Sequence, residues 1–173
     1  KKGAIKYYKA KNTPLHHEVG VDYIGPFPAS PFGMVGAFIF VEAHSQLVYP
    51  YFVRSNSSIE AKKGLQRFQR EILGMPAEKR FKVVCCDSAK EFLTGPFLDY
   101  VKNDMGASIQ PGSPYSVSQR NHQVERLIGV IKQHTICVLE YNSSPRELWH
   151  QAMDYPCKVM NCIRRFDNKQ AYE

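Results

Sequence analysis

The sequence contains no Cys-x-x-Cys pair, and its five cysteines, Cys85, Cys86, Cys137, Cys157 and Cys162, are odd in number. Their positions in apolar runs point to reduced thiols in an intracellular protein. Cys157 and Cys162, five apart on an expected helix, are badly spaced for zinc. No apolar stretch approaches membrane-spanning length, and nothing resembles a signal peptide. Internal repeats and a second domain are also missing, so 173 residues with 43% apolar and 12% aromatic content fit one domain. The start at Lys1–Lys2, without a methionine, is that of a processed product or an excised segment. Acids are outnumbered: 16 Asp and Glu against 23 Lys and Arg leave a net charge of +7. That balance indicates a polyanionic partner without naming one. Residues 1–14 hold five lysines and no acid, with Tyr7 and Tyr8 between them, and read as a basic, extended lead-in.

What the chain does contain is an alternation of strand and helix signals. A strand is expected at about 18–24, ended by Gly25–Pro26, Pro28 and Pro31. Strands at 37–42 and 47–53 follow, joined by the polar turn 43–46. Asn56–Ser57–Ser58 reads as a helix N-cap, with Glu60 in the first turn. The helix should run to about Leu73, with Ile59, Leu65, Phe68 and Ile72 inward and Lys62, Lys63, Arg67 and Arg70 outward. Phe81–Asp87 is almost continuously apolar, as in a central strand covered on both faces. A helix at about 96–105 and a strand at 107–110 come next, then loop-forming residues 111–118. Val124, Leu127, Ile128, Ile131, Thr135, Val138 and Leu139 recur at helical spacing and predict a helix over 119–141. Leu148, Trp149, Ala152, Val159 and Ile163 supply the apolar side of a last helix, which Pro156 should kink or split. The order describes an α/β fold, a five-stranded mixed sheet flanked by helices.

Three acids stand in settings suited to metal chemistry. Asp22 interrupts the apolar run Val19–Ile24, Asp87 ends the run Val83–Cys86, and Glu125 lies early in the long helix. A carboxylate on or at the end of a buried strand is costly unless a cation or hydrogen bonds compensate it. Two such strands and a helix carboxylate could form an oxygen cage for a pair of Mg²⁺ ions. The bland alternative makes Asp22 and Asp87 strand-end turn residues and Glu125 a solvated charge. Lys132 falls two turns after Glu125 on the same helix face and is a candidate DNA-backbone contact or a solvated lysine. Asn121, one turn before Glu125, caps the helix or touches DNA, and Arg126 pairs with an acid or approaches phosphate. His16 and His17 have no nearby cysteine and read as pre-strand loop. Glu42, ending the second strand, faces solvent or adds an acid to the site. Trp149 is expected as a core anchor.

The motifs together resemble the catalytic core of copia-type retrotransposon integrases, within the RNase H-like DDE recombinases. Asp22–Tyr23–Ile24–Gly25–Pro26 resembles their D-x-x-G-P motif. Asp87–Ser88–Ala89–Lys90–Glu91–Phe92 resembles D-N/R-G-x-E-F/Y. Pro114–Tyr115 followed by Gln119 through Arg126 resembles P-Y…Q-N-G-x-x-E-R, and Leu148–Trp149 through Asn161 resembles the closing L-W…A…N helix. Asp87 and Glu125 are separated by 37 residues, near the spacing of the D,D-35-E families. Glycine is usual in these motifs at Ala89 and His122, where a positive φ would strain any other residue. The resemblance covers about residues 1–165 and implies a lead-in over 1–15, a core over 16–165 and a tail over 166–173. It implies Asp22, Asp87 and Glu125 as catalytic metal ligands, two Mg²⁺ or Mn²⁺ ions, and DNA 3′-end processing and strand transfer. Element DNA ends and target DNA would be the partners, along with further copies of the chain and a chromatin or capsid protein that the sequence does not name. The nucleus is the implied location, with a cytoplasmic particle stage allowed. A DDE transposase or RNase H-type nuclease keeps the same fold, and a domesticated, non-catalytic binding or assembly module would inherit it.

Overall fold

In the computed structural model, residues 14–76, 79–112 and 119–167 are described, and 119–123 and 163–167 through their backbone alone. The sheet is built from β1 (Glu18–Ile24), β2 (Gly36–Glu42), β3 (Val48–Val53), β4 (Val83–Cys86) and β5 (Ser108–Pro111). Their spatial order is β3-β2-β1-β4-β5. β1 and β3 run antiparallel to β2, whereas β4 runs parallel to both β1 and β5. Every residue of β2 is buried, as a central strand covered on both faces requires.

The helices are α1 (Ser58–Arg67), α2 (Lys90–Leu93), α3 (Gly95–Asp99), α4 (Gln119–Tyr141) and α5 (Trp149–Asp167). Alternation along β1 sends Val19 and Val21 to one face and Ile24 to the other. The first face packs under α1–α3, where Phe40, Phe68 and Phe81 stack in sequence. On the second face Val124, Leu127, Ile128 and Ile131 of α4 meet Trp149, Met153 and Cys157 of α5 over Ile39 and Val41. Among the described residues no helix is long and apolar enough to cross a membrane.

Several local expectations change. Ser57 is the N-cap of α1, its side chain accepting the Glu60 N–H. α1 passes into a π-helical turn over Phe68–Ile72, and Leu65 and Phe68 are buried as expected. Ile59 and Ile72 are instead exposed, because Ile59 lies in the open first turn and Ile72 in the π turn, whose wider winding carries it off the inner face. The helix expected at 96–105 is three pieces. Thr94 is extended and Gly95 takes φ 69°, so the short α2 ends and α3 starts afresh, continuing as a π turn over Tyr100–Asp104. α5 is not split at Pro156 but runs through it as one helix.

Two anchors fix α5. Trp149 is 3% exposed and donates its Nε1–H to the Pro28 carbonyl at 2.8 Å, tying down the loop after β1. Asn161 donates to the Val48 carbonyl and accepts from the Val48 N–H, both at 2.8 Å. The outer edge of β3 is therefore partly satisfied by a side-chain amide. Pro50, two residues along, has the same outward backbone direction and lacks the N–H that would otherwise be open there.

Candidate active site

The end of the sheet is where the first two acids meet. β1 and β4 pair in register as Glu18↔Val83, Val19↔Val84 and Gly20↔Cys85. Two residues further on, Asp22 stands beside Asp87, the residue that follows β4. Adjacent strands lie about 4.8 Å apart, and the two residues share a face because each is two steps from the Gly20↔Cys85 pair. That is the face covered by α4, as Ile24 and the Asp22 partner Ile39 show. Gly20 sets how closely α4 can come. A Cβ at this position would overlap Cγ2 of Val124, so only the bare backbone lets the helix settle with Glu125 above the strand ends.

The electrostatics of the three acids are joined. Burial is the main cause that pushes the Asp22 carboxyl up to about 6. The negative charges of Asp87 and Glu125 push the same way, while a hydrogen bond from the Tyr23 N–H at 2.7 Å and the Lys132 ammonium pull it down. Asp87 uses one oxygen to accept the Ala89 N–H at 3.0 Å. Ala89 has φ −69° and ψ 147°, so the residue standing where glycine is usual is unstrained, and His122 lies within α4. Hard carboxylate oxygens sharing one half-buried environment suit Mg²⁺ or Mn²⁺. The cage expected from the sequence is not closed, however. Among the described residues no group of three or more His, Cys, Asp or Glu side chains stands ready to hold a metal ion. Glu125 is exposed on α4.

The remaining candidates sort as follows. Lys132 is exposed, yet near enough to Asp22 to act on its charge. Arg126 is exposed on α4, and the side chain of Asn121 lies outside the described residues, as do Pro114 and Tyr115. His16 and His17 belong to the turn before β1, where the His17 carbonyl accepts from Lys82 and Val83. Glu42 neither faces solvent nor joins the site. It is fully buried and accepts hydrogen bonds from the His16 and Ser45 backbones and from the Ser45 hydroxyl. An acid at a strand end looks the same in sequence whether it meets water or folds a turn around itself. Sequence reasoning also missed Glu18, 4% exposed on the site's face of β1, with Cys85 Sγ 3.5 Å from its carboxylate. Its place at the edge of the basic lead-in gave no signal of burial. Cys86, behind the acids, has its thiol pushed up to about 12 by burial and by Asp87 and Asp22, which makes it a poor nucleophile.

No protein-family description and no curated protein matches the sequence. Solved structures do match in shape. A chain of the simian T-cell lymphotropic virus intasome, in complex with the PP2A regulatory subunit B56 gamma, superposes with a TM-score of 0.60 at 16% identity. The match covers 80% of this chain and 47% of that one, so the present chain spans about half its length. The HTLV-2 integrase catalytic core in complex with magnesium, in its trimeric form, gives 0.57 at 16% identity over 81% of both chains. The BIV integrase catalytic core gives 0.55 at 16% identity over 80% of both. The five-stranded mixed sheet with its flanking helices is thus the RNase H-like fold of retroviral integrase catalytic cores.

Proposed function

We propose that this chain is the catalytic core of a retroelement integrase of copia type, which processes DNA 3′ ends and joins them to target DNA. The observation that carries the reading is the position of Asp22 and Asp87, each two residues beyond the last register pair of β1 and β4, with the charges of Asp87 and Glu125 both acting on Asp22. The fold shared with integrase cores supports it, as does the magnesium bound by the HTLV-2 core. Asp22, Asp87 and Glu125 would hold two Mg²⁺ or Mn²⁺ ions. Such ions lower the pKa of an attacking water or 3′-hydroxyl and offset charge on the leaving oxygen. The chain's own contribution is to set Asp22 and Asp87 at adjacent strand ends, where bound cations would offset the burial and the neighbouring negative charge that raise the Asp22 pKa. Lys132, already felt by Asp22, would take the DNA backbone beside them, with Arg126 and Asn121 as further contacts on α4. Action on chromosomal DNA places the protein in the nucleus.

The test is joining of a labelled DNA end to a plasmid in Mg²⁺ or Mn²⁺, using protein with its flanking domains. Asp22→Asn, Asp87→Asn and Glu125→Gln should each lower joining by at least about 100-fold while leaving DNA binding intact, since each removes an anionic ligand without changing shape. Full activity in any one variant removes that residue from the site. A second reading, a domesticated module that binds DNA without cleaving it, is favoured by Ala89 and His122, which stand where the motifs usually carry glycine. Wild-type protein that binds DNA ends but never joins them would select it.

A further inference from the structure

Two basic rows run along α1 and meet different surroundings. Toward β3, Lys63 pairs with Glu60 at 2.7 Å and Arg67 with Glu71 at 2.6 Å, so both acids of this helix and its π turn are engaged on that side. On the other side Lys62 and Gln66 lie one turn apart on α1, and Arg70 follows in the π turn. Among the described residues neither Lys62 nor Arg70 forms an ion pair. Tyr100 stands in front of them and organises the cluster. Lys62 Nζ lies 5.4 Å from its ring centre and the Arg80 guanidinium 5.9 Å. The Tyr100 hydroxyl donates to Gln69 Oε1 at 3.0 Å, and the Gln66 side chain acts on the same hydroxyl. Arg80 is also fixed by donating to the Asp104 carbonyl at 2.8 Å. The charges felt at Tyr100 are Arg80 and Arg70 against the single acid Asp104. The outcome is a ring with two cations already held over it and a third, Arg70, beside it.

We propose that Lys62, Arg70 and Arg80, organised by Tyr100, form a second binding surface for the phosphodiester backbone of duplex DNA. It lies on the α1–α3 side of the sheet, opposite the face where α4 carries Glu125. Lys62 and Arg70 are two helical turns apart, about 12 Å, which suits a partner with repeated negative charge rather than one anion. Cation–π contacts hold two of the cations in place before binding, so less side-chain freedom is lost when phosphate arrives. The inference rests on the proposed function in one respect. A protein that joins DNA to DNA must hold two segments at once.

The experiment measures affinity for a labelled mixed-sequence duplex against salt, by fluorescence anisotropy, with the full chain. Each phosphate neutralised contributes about 0.9 to the slope of log affinity on log salt. Lys62→Ala/Arg70→Ala should flatten the slope by about two, and Lys62→Arg/Arg70→Lys should restore it. Combination with Lys132→Ala should add a further loss of about one, because the two surfaces are separate. Thermal unfolding of each variant establishes that the fold is kept. An unchanged slope in the double alanine variant overturns the proposal. Polyglutamate that displaces duplex as well as unlabelled DNA does overturns it too, since the row would then accept any acidic chain. Joining lost in the wild type with the slope intact would defeat the catalytic reading alone, and a slope failure with joining intact would defeat this one alone.

Discussion

Asp22 shows how a single carboxyl reports its surroundings. Its pKa rises from 3.8 to about 6, first through burial and then through Asp87 and Glu125. A raised carboxyl pKa means that the folded state binds the proton more tightly than the unfolded chain. Stability from this group is therefore greatest below about pH 4, declines as pH climbs through 6, and is lost above it. Asp22→Asn removes that decline. Allowing for partial solvent screening, the variant should gain about 1 kcal/mol at pH 7.5, a rise of about 3 °C in Tm, and nothing at pH 4. Thermal scans at both pH values check the sign. Added Mg²⁺ should raise the wild-type Tm at pH 7.5 and leave the variant almost unmoved. Asp22 and Asp87 were legible in the sequence because an acid inside or just after an apolar run has few inexpensive explanations. Glu42 was not, since its burial depends on Ser45 and the His16 backbone folding around it, a three-dimensional fact with no periodic trace.

At the scale of elements, the contact between β1 and α4 decides where the third acid stands. Gly20 faces Val124 with no space for a side chain. Gly20→Ala should cost about 1–3 kcal/mol through overpacking, and it should also push α4 away from Asp22 and Asp87. Trimming the other side, as in Gly20→Ala/Val124→Ala, should recover part of that stability. Chemical denaturation of the four members of this cycle measures both effects. A loss in the single variant below about 0.5 kcal/mol would mean that the helix adjusts freely. The strands and the long helices were readable because apolar periodicity is an average over many residues. The breaks were not. The restart at Gly95 turns on one residue's φ, and the π turns at Phe68 and Tyr100 insert a winding that no apolar spacing announces. Of the kink or split expected at Pro156 the split does not occur, because α5 is held at Trp149 and Asn161 on either side of it and tertiary contacts outweigh one missing hydrogen bond.

For the whole molecule, joining two DNA ends to one target needs at least two sites held in fixed relation. Self-association is accordingly expected, and HTLV-2 cores of the same fold occur in dimeric and trimeric forms. Light scattering across concentration, with and without DNA ends, should show a mass at least twice that of the chain. A strict monomer under both conditions would point to a nuclease. The edge of the sheet limits how such an assembly can form. With Asn161 filling both bonding groups of Val48 and Pro50 offering no donor, β3 presents another copy with an interrupted row of backbone partners. At this edge, copies are therefore turned away from backbone zippering that could repeat without end, while β5 forms the other edge of the sheet. One amide on the last helix thus acts as a chain terminator on the β3 side of the sheet.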